Sequence, residues 1–240
     1  MEYSKFEMTN EAIILAGGFG TRLASVVDVP KPMAPINDIP FLEYILNYLA
    51  KHHITKIHLA VGYKYQVIVD YFGDNYEGLE LNYVIEDTPL GTGGAVKQAL
   101  EKVISDEVFI INGDTFFDVD LAQMAQQFEQ KHASVSLGLK PMQNFDRYGV
   151  VEVDENERIL AFQEKKYCES GAINGGIYLL KTNIFEGLDF PEQFSLEQDY
   201  FDKYCSKSDF FAFTSDTYFI DIGIPTDYAK AQEELPSLFL

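Results

Sequence analysis

Apolar residues recur along this chain in two alternating rhythms. Near the start, Ala12, Ile13, Ile14, Leu15 and Ala16 form an unbroken apolar run, the mark of a strand buried on both faces. Residues 41–52 then place Leu42, Ile45, Leu46 and Leu49 at i, i+3, i+4 and i+7, the stripe of an amphipathic helix. Ile57, Leu59 and Val61 alternate as a strand, and residues 65–72 return to helical spacing. The exchange continues with a strand over 79–85, a helix over 94–103, a strand over 108–111 and a helix over 121–131. Strands separated by helices of this length predict right-handed βαβ crossovers and a parallel, doubly wound sheet of the α/β class.

From about Ala133 the pattern changes. Residues 133–139 read as a strand, 148–165 as two strands around a turn at Asp154, Glu155 and Asn156, and 173–180 as another strand. These strands extend the sheet and cover its ligand face, so a single domain over 11–240 is expected. A helix over 196–204, strands over 210–213 and 218–220, and a helix after Pro225 complete the pattern. Residues 1–10 are polar and without period, and predict a frayed tail.

The first strand runs directly into Gly17, Gly18, Phe19 and Gly20, followed by Thr21 and Arg22. Such a loop leaves backbone N–H groups unpaired and unobstructed by Cβ atoms, which suits an anionic oxygen. Arg22 supplies a planar donor fork and Lys31 a point charge, two ways of holding phosphate. Lys31 stands between Pro30 and Pro32, which predicts extended backbone there and a side chain on a stiff support. The dinucleotide fingerprint G-x-G-x-x-G fails, because counting from Gly18 its third glycine falls on Leu23. The P-loop Gly-Lys-Ser/Thr is absent. Ligands on doubly wound sheets bind beyond the carboxyl ends of the strands, where this loop would lie.

Charge sharpens the picture. The formal net charge is −20 with a pI near 4.4, which argues against nucleic-acid binding and requires any phosphate site to be locally basic and metal-assisted. Cys168 and Cys205 lie far apart in no metal-binding spacing and suggest reduced thiols and a cytoplasmic setting; the four histidines form no zinc pattern. Neither a basic-then-apolar leader nor a run of transmembrane length is present, so no membrane partner is expected.

The run LAGGFGTRL…PKPMAPI resembles the signature of the sugar-phosphate nucleotidyltransferases, which join a nucleoside triphosphate to a sugar 1-phosphate and release pyrophosphate. Where that family commonly has Pro-Leu-Thr after Arg-Leu, this chain has Ala24, Ser25 and Val26. The resemblance spans about residues 11–233 and implies a Rossmann-like, mixed, mostly parallel sheet of the nucleotide-diphospho-sugar transferase (GT-A-like) type. Residues 11–132 would then be the nucleotide-binding half and 133–240 the sugar-phosphate half. On the nucleotide side it implies Leu15, Ala16, Gly17, Gly18 and Thr21, with Glu86, Pro89 and Gly91 from EDTPLGTGGA as the base-recognition loop.

Glycines at Gly91, Gly93 and Gly94 would let a flat base pack against backbone. Glu86 offers acceptors only, which matches the two adjacent donors of guanine better than the single N3–H of uracil or thymine, so GTP is preferred over UTP or dTTP. In NGDTFFD, Asp114 resembles the family's magnesium aspartate and Asp221 in FIDIG its partner. Two converging carboxylates with phosphate oxygens and water suit the all-oxygen octahedron of Mg²⁺. Gly149, Glu164, Lys165 and Asn174 match the family's sugar-phosphate positions, and Asn112 adds a contact. Arg22, Lys31, Asp114 and Lys165 would carry an in-line displacement at the α-phosphorus. The style of PKPMAPINDIPFLEYIL, FDRYG and INGGIYLL implies a heptose 1-phosphate acceptor, with mannose 1-phosphate or an amino-sugar phosphate as alternatives, in a monomer or homodimer.

Overall fold

The computed structural model describes residues 8–18 and 28–239. Strand β1 (Glu11–Leu15) is followed by a 3-10 turn at Lys31–Met33 and a hairpin of β2 (Pro35–Ile36) and β3 (Ile39–Pro40). Helix α1 (Phe41–Lys51), β4 (Lys56–Val61), α2 (Tyr65–Phe72), β5 (Asn75–Tyr76), β6 (Leu79–Ile85), α3 (Gly91–Leu100) and β7 (Glu107–Asn112) come next. Then follow β8 (Thr115–Phe117), α4 (Leu121–Gln130), β9 (Val135–Phe145), β10 (Val151–Val153), β11 (Ile159–Phe162) and β12 (Cys168–Lys181). A π-helical stretch, Leu196–Phe201, runs into the short α5 (Asp202–Tyr204), and β13 (Phe210–Thr214), β14 (Phe219–Asp221) and α6 (Pro225–Glu234) follow.

Eight strands form one sheet in the order β13-β9-β12-β7-β1-β4-β6-β5. β7, β1, β4 and β6 are mutually parallel, β12 runs antiparallel to both of its neighbours, and β13 is parallel to β9. The expected mixed, mostly parallel α/β sheet in one domain is what the chain adopts. β1 pairs with the next long strand, β4, on one side and with the later β7 on the other, so the strand order reverses there. In register, Leu15 lies opposite both Ala60 and Asn112, and the carboxyl ends of the parallel strands are nearly level. Such a switch point leaves a crevice between the diverging loops.

Side-chain alternation divides the interior into two cores. Ala12, Ile14, Phe109 and Ile111 face one side and pack with Leu42, Ile45, Leu46 and Leu49 of α1 and Leu121, Met124 and Phe128 of α4. Ile13, Val108 and Ile110 face the other side, against Val96 and Ala99 of α3 and Tyr200 and Phe201 of the π-helical stretch. Fully burying a side chain such as Ile13 or Ile14 contributes about 1.5–3 kcal/mol. At the amino end of β1, away from the crevice, Glu11 accepts from Ser105 and Ile104 N–H groups and pairs with His58 at 3.1 Å, which satisfies its buried carboxylate.

Three expectations need correction. α3 starts at Gly91 instead of 94, because its first turn is pressed against Phe194. Lys31 is not extended: it opens a 3-10 turn closed by Met33 N–H donating to Pro30 O (2.7 Å) and Ala34 N–H to Lys31 O (3.0 Å), with Pro32 and Met33 buried. Of residues 1–10, Thr9 is buried and Asn10 O accepts from Thr55 and Lys56 N–H groups, so the frayed-tail reading does not extend to these positions.

Candidate active site

Two cavities open at the carboxyl end of the sheet. The first, about 310 Å³, is walled by Leu15, Ala16, Gly17 and Gly18 beyond β1, by Glu86, Pro89 and Gly91 beyond β6, and by Lys31, Thr92 and Asp114. The second, about 400 Å³, is lined by Gly149, Glu164, Lys165, Asn174 and Asp221 among others. Asn112 and Asp114, at the end of β7, belong to both. The described residues expected on the nucleotide side therefore meet in one cavity, and those expected on the sugar side in its neighbour. Thr21 and Arg22 lie outside the described residues.

Strand pairing brings the two acids together. β14 runs antiparallel to β8 with Asp221 opposite Thr115, and Ile222 N–H donates to Asp114 O at 3.0 Å. Asp221 Oδ1 accepts from Gly223 N–H (2.7 Å) and Oδ2 from the Tyr148 hydroxyl (3.3 Å), while Arg147, whose guanidinium is tied to Asp227 at 2.5 Å, stands 3.8 Å from Oδ2. Burial pushes the Asp221 carboxyl above the ordinary range and the Asp114 charge pushes it further, with Gly223 N–H and the Lys31 and Arg147 cations opposing. A divalent cation between the acids would relieve that repulsion. The two carboxylates form an all-oxygen donor set that suits magnesium completed by phosphate oxygens and water. Among the described residues no cluster of three or more His, Cys, Asp or Glu is built to hold a metal without such help.

Asp114 is held by Lys31, whose Nζ is 2.7 Å from Oδ2. Glu86 accepts from Leu90 N–H at 3.1 Å, and burial raises its pKa above the usual carboxylate range. Its Oε1 lies so close to Gly17 that a Cβ there would push the carboxylate aside, so glycine lets Glu86 rest against that wall of the cavity. The other glycines play a different part from the one expected. A Cβ on Gly93 would strike the Phe194 ring and one on Gly94 the Glu192 carbonyl, so they seat α3 against residues 192–194, and neither lines the cavity.

Asn174 lines the second cavity as expected, and its side chain is also engaged within the protein. Its Oδ1 accepts from Gly176 N–H (2.9 Å) and its Nδ2 donates to the Tyr178 hydroxyl (3.0 Å), bracing the irregularity in β12 between Asn174 and Tyr178. Tyr178 OH continues to Glu197 Oε1 (3.3 Å), and Glu197 Oε2 accepts from Thr92 (2.6 Å) and Ser195 (3.0 Å) hydroxyls. This chain of hydrogen bonds ties the start of α3 in the first cavity to the floor of the second. The sequence reading missed Thr92, Tyr148, Tyr178 and Glu197: each sits inside an ordinary helix or strand pattern, and their convergence depends on long-range pairing. The one local signal was Tyr178, four residues past Asn174 in INGGIY.

Comparison with known proteins agrees with this arrangement. Residues 11–237 match the model of the nucleotidyl transferase family. The chain is 52% identical to D-glycero-alpha-D-manno-heptose 1-phosphate guanylyltransferase of Aneurinibacillus thermoaerophilus, over 94% of this chain and 98% of that protein. It is 50% identical to the enzyme of the same name from Campylobacter jejuni, over 91% and 96%. Among solved structures, HddC from Yersinia pseudotuberculosis superposes with a TM-score of 0.84 at 37% identity, covering 93% of this chain and 98% of that one, and has also been solved with GMP-PN. With its expected motifs gathered at the switch point of such a sheet, the chain belongs to the nucleotidyl transferase family.

Proposed function

We propose that this protein transfers a guanylyl group from GTP to D-glycero-α-D-manno-heptose 1-phosphate, giving GDP-heptose and pyrophosphate, in the cytoplasm and with magnesium. The observation that carries the reading is the wall shared by the two cavities. Asn112 and Asp114 face both, so a nucleotide and a sugar phosphate bound side by side would meet at Asp114. Identity of 50–52% over nearly the whole length to two heptose 1-phosphate guanylyltransferases supports the choice of base and sugar. Cys168 and Cys205 are both free thiols, in keeping with a reducing compartment.

The acceptor phosphate is ionised at neutral pH, so its oxygen attacks the α-phosphorus without a general base while the bond to the bridging oxygen of the β-phosphate breaks. The protein's task is positioning and charge neutralisation. Glu86 accepts from the guanine edge, and Gly17 and Gly18 present backbone to the triphosphate. Lys31 and Lys165 bear on the two polyanions from opposite cavities, with Arg22 expected to join Lys31. Glu164 accepts from sugar hydroxyls, as does the Asn112 Oδ1, which is buried without a partner. Asp114 and Asp221 would hold the magnesium ion, which when bound offsets the charge of the reacting phosphates.

The test is a matrix of four nucleoside triphosphates against heptose, mannose, glucose and N-acetylglucosamine 1-phosphates, scored by pyrophosphate release. GTP with the heptose phosphate should exceed every other pair by at least tenfold in kcat/KM. A higher rate with another pair reassigns the substrate, and silence across the matrix rejects the activity.

A further inference from the structure

Some polar side chains that line the second cavity have neither a partner within the protein nor a role in the reaction above. Asn174, Tyr178 and Glu197 are committed to one another, Tyr148 to Asp221, Thr115 to Asp114, and Gln163 to Glu152. Among the described lining residues, apart from Asn112, whose Oδ1 already has a place on the sugar, four polar side chains make no hydrogen bond or ion pair within the protein: Glu164, Lys165, Gln198 and Asp202. Glu164 and Lys165 already have roles on the ring and the phosphate. Gln198 and Asp202 do not.

These two lie four residues apart, an amide and a carboxylate at the spacing that brings side chains together on a helical face. Their backbone is held firmly. The stretch Leu196–Phe201 is π-helical, a conformation that is rare and concentrated at functional sites. Its start is fixed by Ser195, whose hydroxyl accepts from Gln198 N–H at 3.1 Å, and by Glu197, clamped to Thr92, Ser195 and Tyr178. Phe201 is fully buried and stacks on Phe162 of β11. The wall is therefore rigid while its two polar tips stay exposed to the cavity.

We propose that Gln198 and Asp202 are the specificity residues of the sugar site and bind the exocyclic C6–C7 diol of the heptose. The inference rests on the heptose reading above. A carboxylate accepts from one or both hydroxyls of a vicinal diol, and an amide both accepts and donates, so the pair can satisfy two adjacent hydroxyls. Mannose 1-phosphate ends in a single C6 hydroxyl and leaves one of the pair unmatched. A site built to hydrogen-bond a hydroxyl discriminates strongly against the analogue that lacks it.

The test uses Gln198→Ala and Asp202→Ala, both at exposed positions, with GTP saturating and pyrophosphate release measured against heptose and mannose 1-phosphates. Each variant should raise the KM for the heptose phosphate about tenfold, with kcat and the KM for GTP within twofold of the parent. Because mannose engages only one of the pair, the KM for mannose 1-phosphate should stay within twofold of the parent in at least one of the two variants, and there the preference for heptose falls by about the same tenfold. Parallel rises for both sugars in both variants, or an unchanged KM for the heptose phosphate, would overturn the proposal while leaving the activity intact. If the parent enzyme does not turn over the heptose phosphate at all, the substrate reading itself fails and this inference with it.

Discussion

Lys31 Nζ sits 2.7 Å from Asp114 Oδ2, so the cation expected on the triphosphate is, without substrate, the counter-ion of an acid expected on the metal. Both side chains are partly shielded, at 18% and 33% exposure, which keeps the pair from being a merely solvated surface contact. Asp114 would have to share its carboxylate between this ammonium and a divalent cation, and a lysine released in that competition would be available to phosphate. Charge would thus be passed along as the site fills, and Asp114 would not be left buried and unpaired in between.

Replacing Lys31 by Met should separate these two duties. kcat should fall at least a hundredfold, because a charge on the reacting phosphates is lost. Binding of Mn²⁺ to the nucleotide-free protein, read by electron paramagnetic resonance, should tighten several-fold, because the competing cation is gone. Weaker metal binding in the variant would contradict the exchange.

Glu86 makes a prediction with a definite pH sign. Burial holds its pKa above the normal carboxylate range, and guanine recognition needs the ionised, acceptor-only form. The KM for GTP should therefore begin to rise while pH is still above the range where an ordinary glutamate titrates, as protons compete with the base. Glu86→Gln should remove that acid limb and raise the KM for GTP at neutral pH by about tenfold or more, the loss of one charge-assisted hydrogen bond of about 1.5–3 kcal/mol. An acid limb that survives in Glu86→Gln would assign the titration to another group.

The elements were readable because their signals are local. The apolar run of β1, the i, i+3, i+4, i+7 stripe of α1 and the bounds of β6 follow from spacing alone, and alternation of strand and helix then dictates a parallel sheet with a crevice at its switch point. The placement of Lys31, Asp114 and Glu86 at that crevice was legible for the same reason, each standing just beyond a strand or fixed by a short motif. What was not legible depends on contacts between distant segments. Gly93 and Gly94 looked like part of a base platform because nothing near them in sequence announces Phe194. That Asn174 also braces β12 was not legible, because the irregularity it supports forms only when β12 pairs with β9. Glu197 and Gln198 carry no motif at all. Their place comes from the π-helical turn and its packing on α3.

Gly93 offers a direct check of that corrected role. A Cβ there would enter the Phe194 ring, so Gly93→Ala should destabilise the protein by about 1–3 kcal/mol, lowering Tm by about 2–4 °C per kcal/mol for a domain of this size. The KM for GTP of the folded variant should stay within twofold, since Gly93 does not line the cavity. Adding Phe194→Leu should restore part of the lost Tm. A large KM effect without loss of Tm would return Gly93 to the base platform.

Asp221 is where stability and activity should pull apart. Its carboxyl is raised chiefly by burial and then by the Asp114 charge, so at neutral pH the substrate-free native state holds a carboxylate that the unfolded chain carries more comfortably in water. For a carboxyl raised in this way the penalty is present above the folded-state pKa and is relieved as pH falls through it. Asp221→Asn keeps an oxygen to accept from Gly223 N–H while removing the charge. It should therefore raise the Tm of the substrate-free protein at neutral pH by a few degrees, the equivalent of about 1 kcal/mol. The gain should shrink in acid, where the parent acid is itself protonated. The same variant should lose at least a hundredfold in kcat, because one of the two acids that would hold the cation is gone. Calorimetric scans at neutral and acidic pH beside a pyrophosphate-release assay measure both effects, and a variant less stable than its parent at neutral pH would show that the charge contacts with Arg147 and Tyr148 outweigh burial and the repulsion from Asp114.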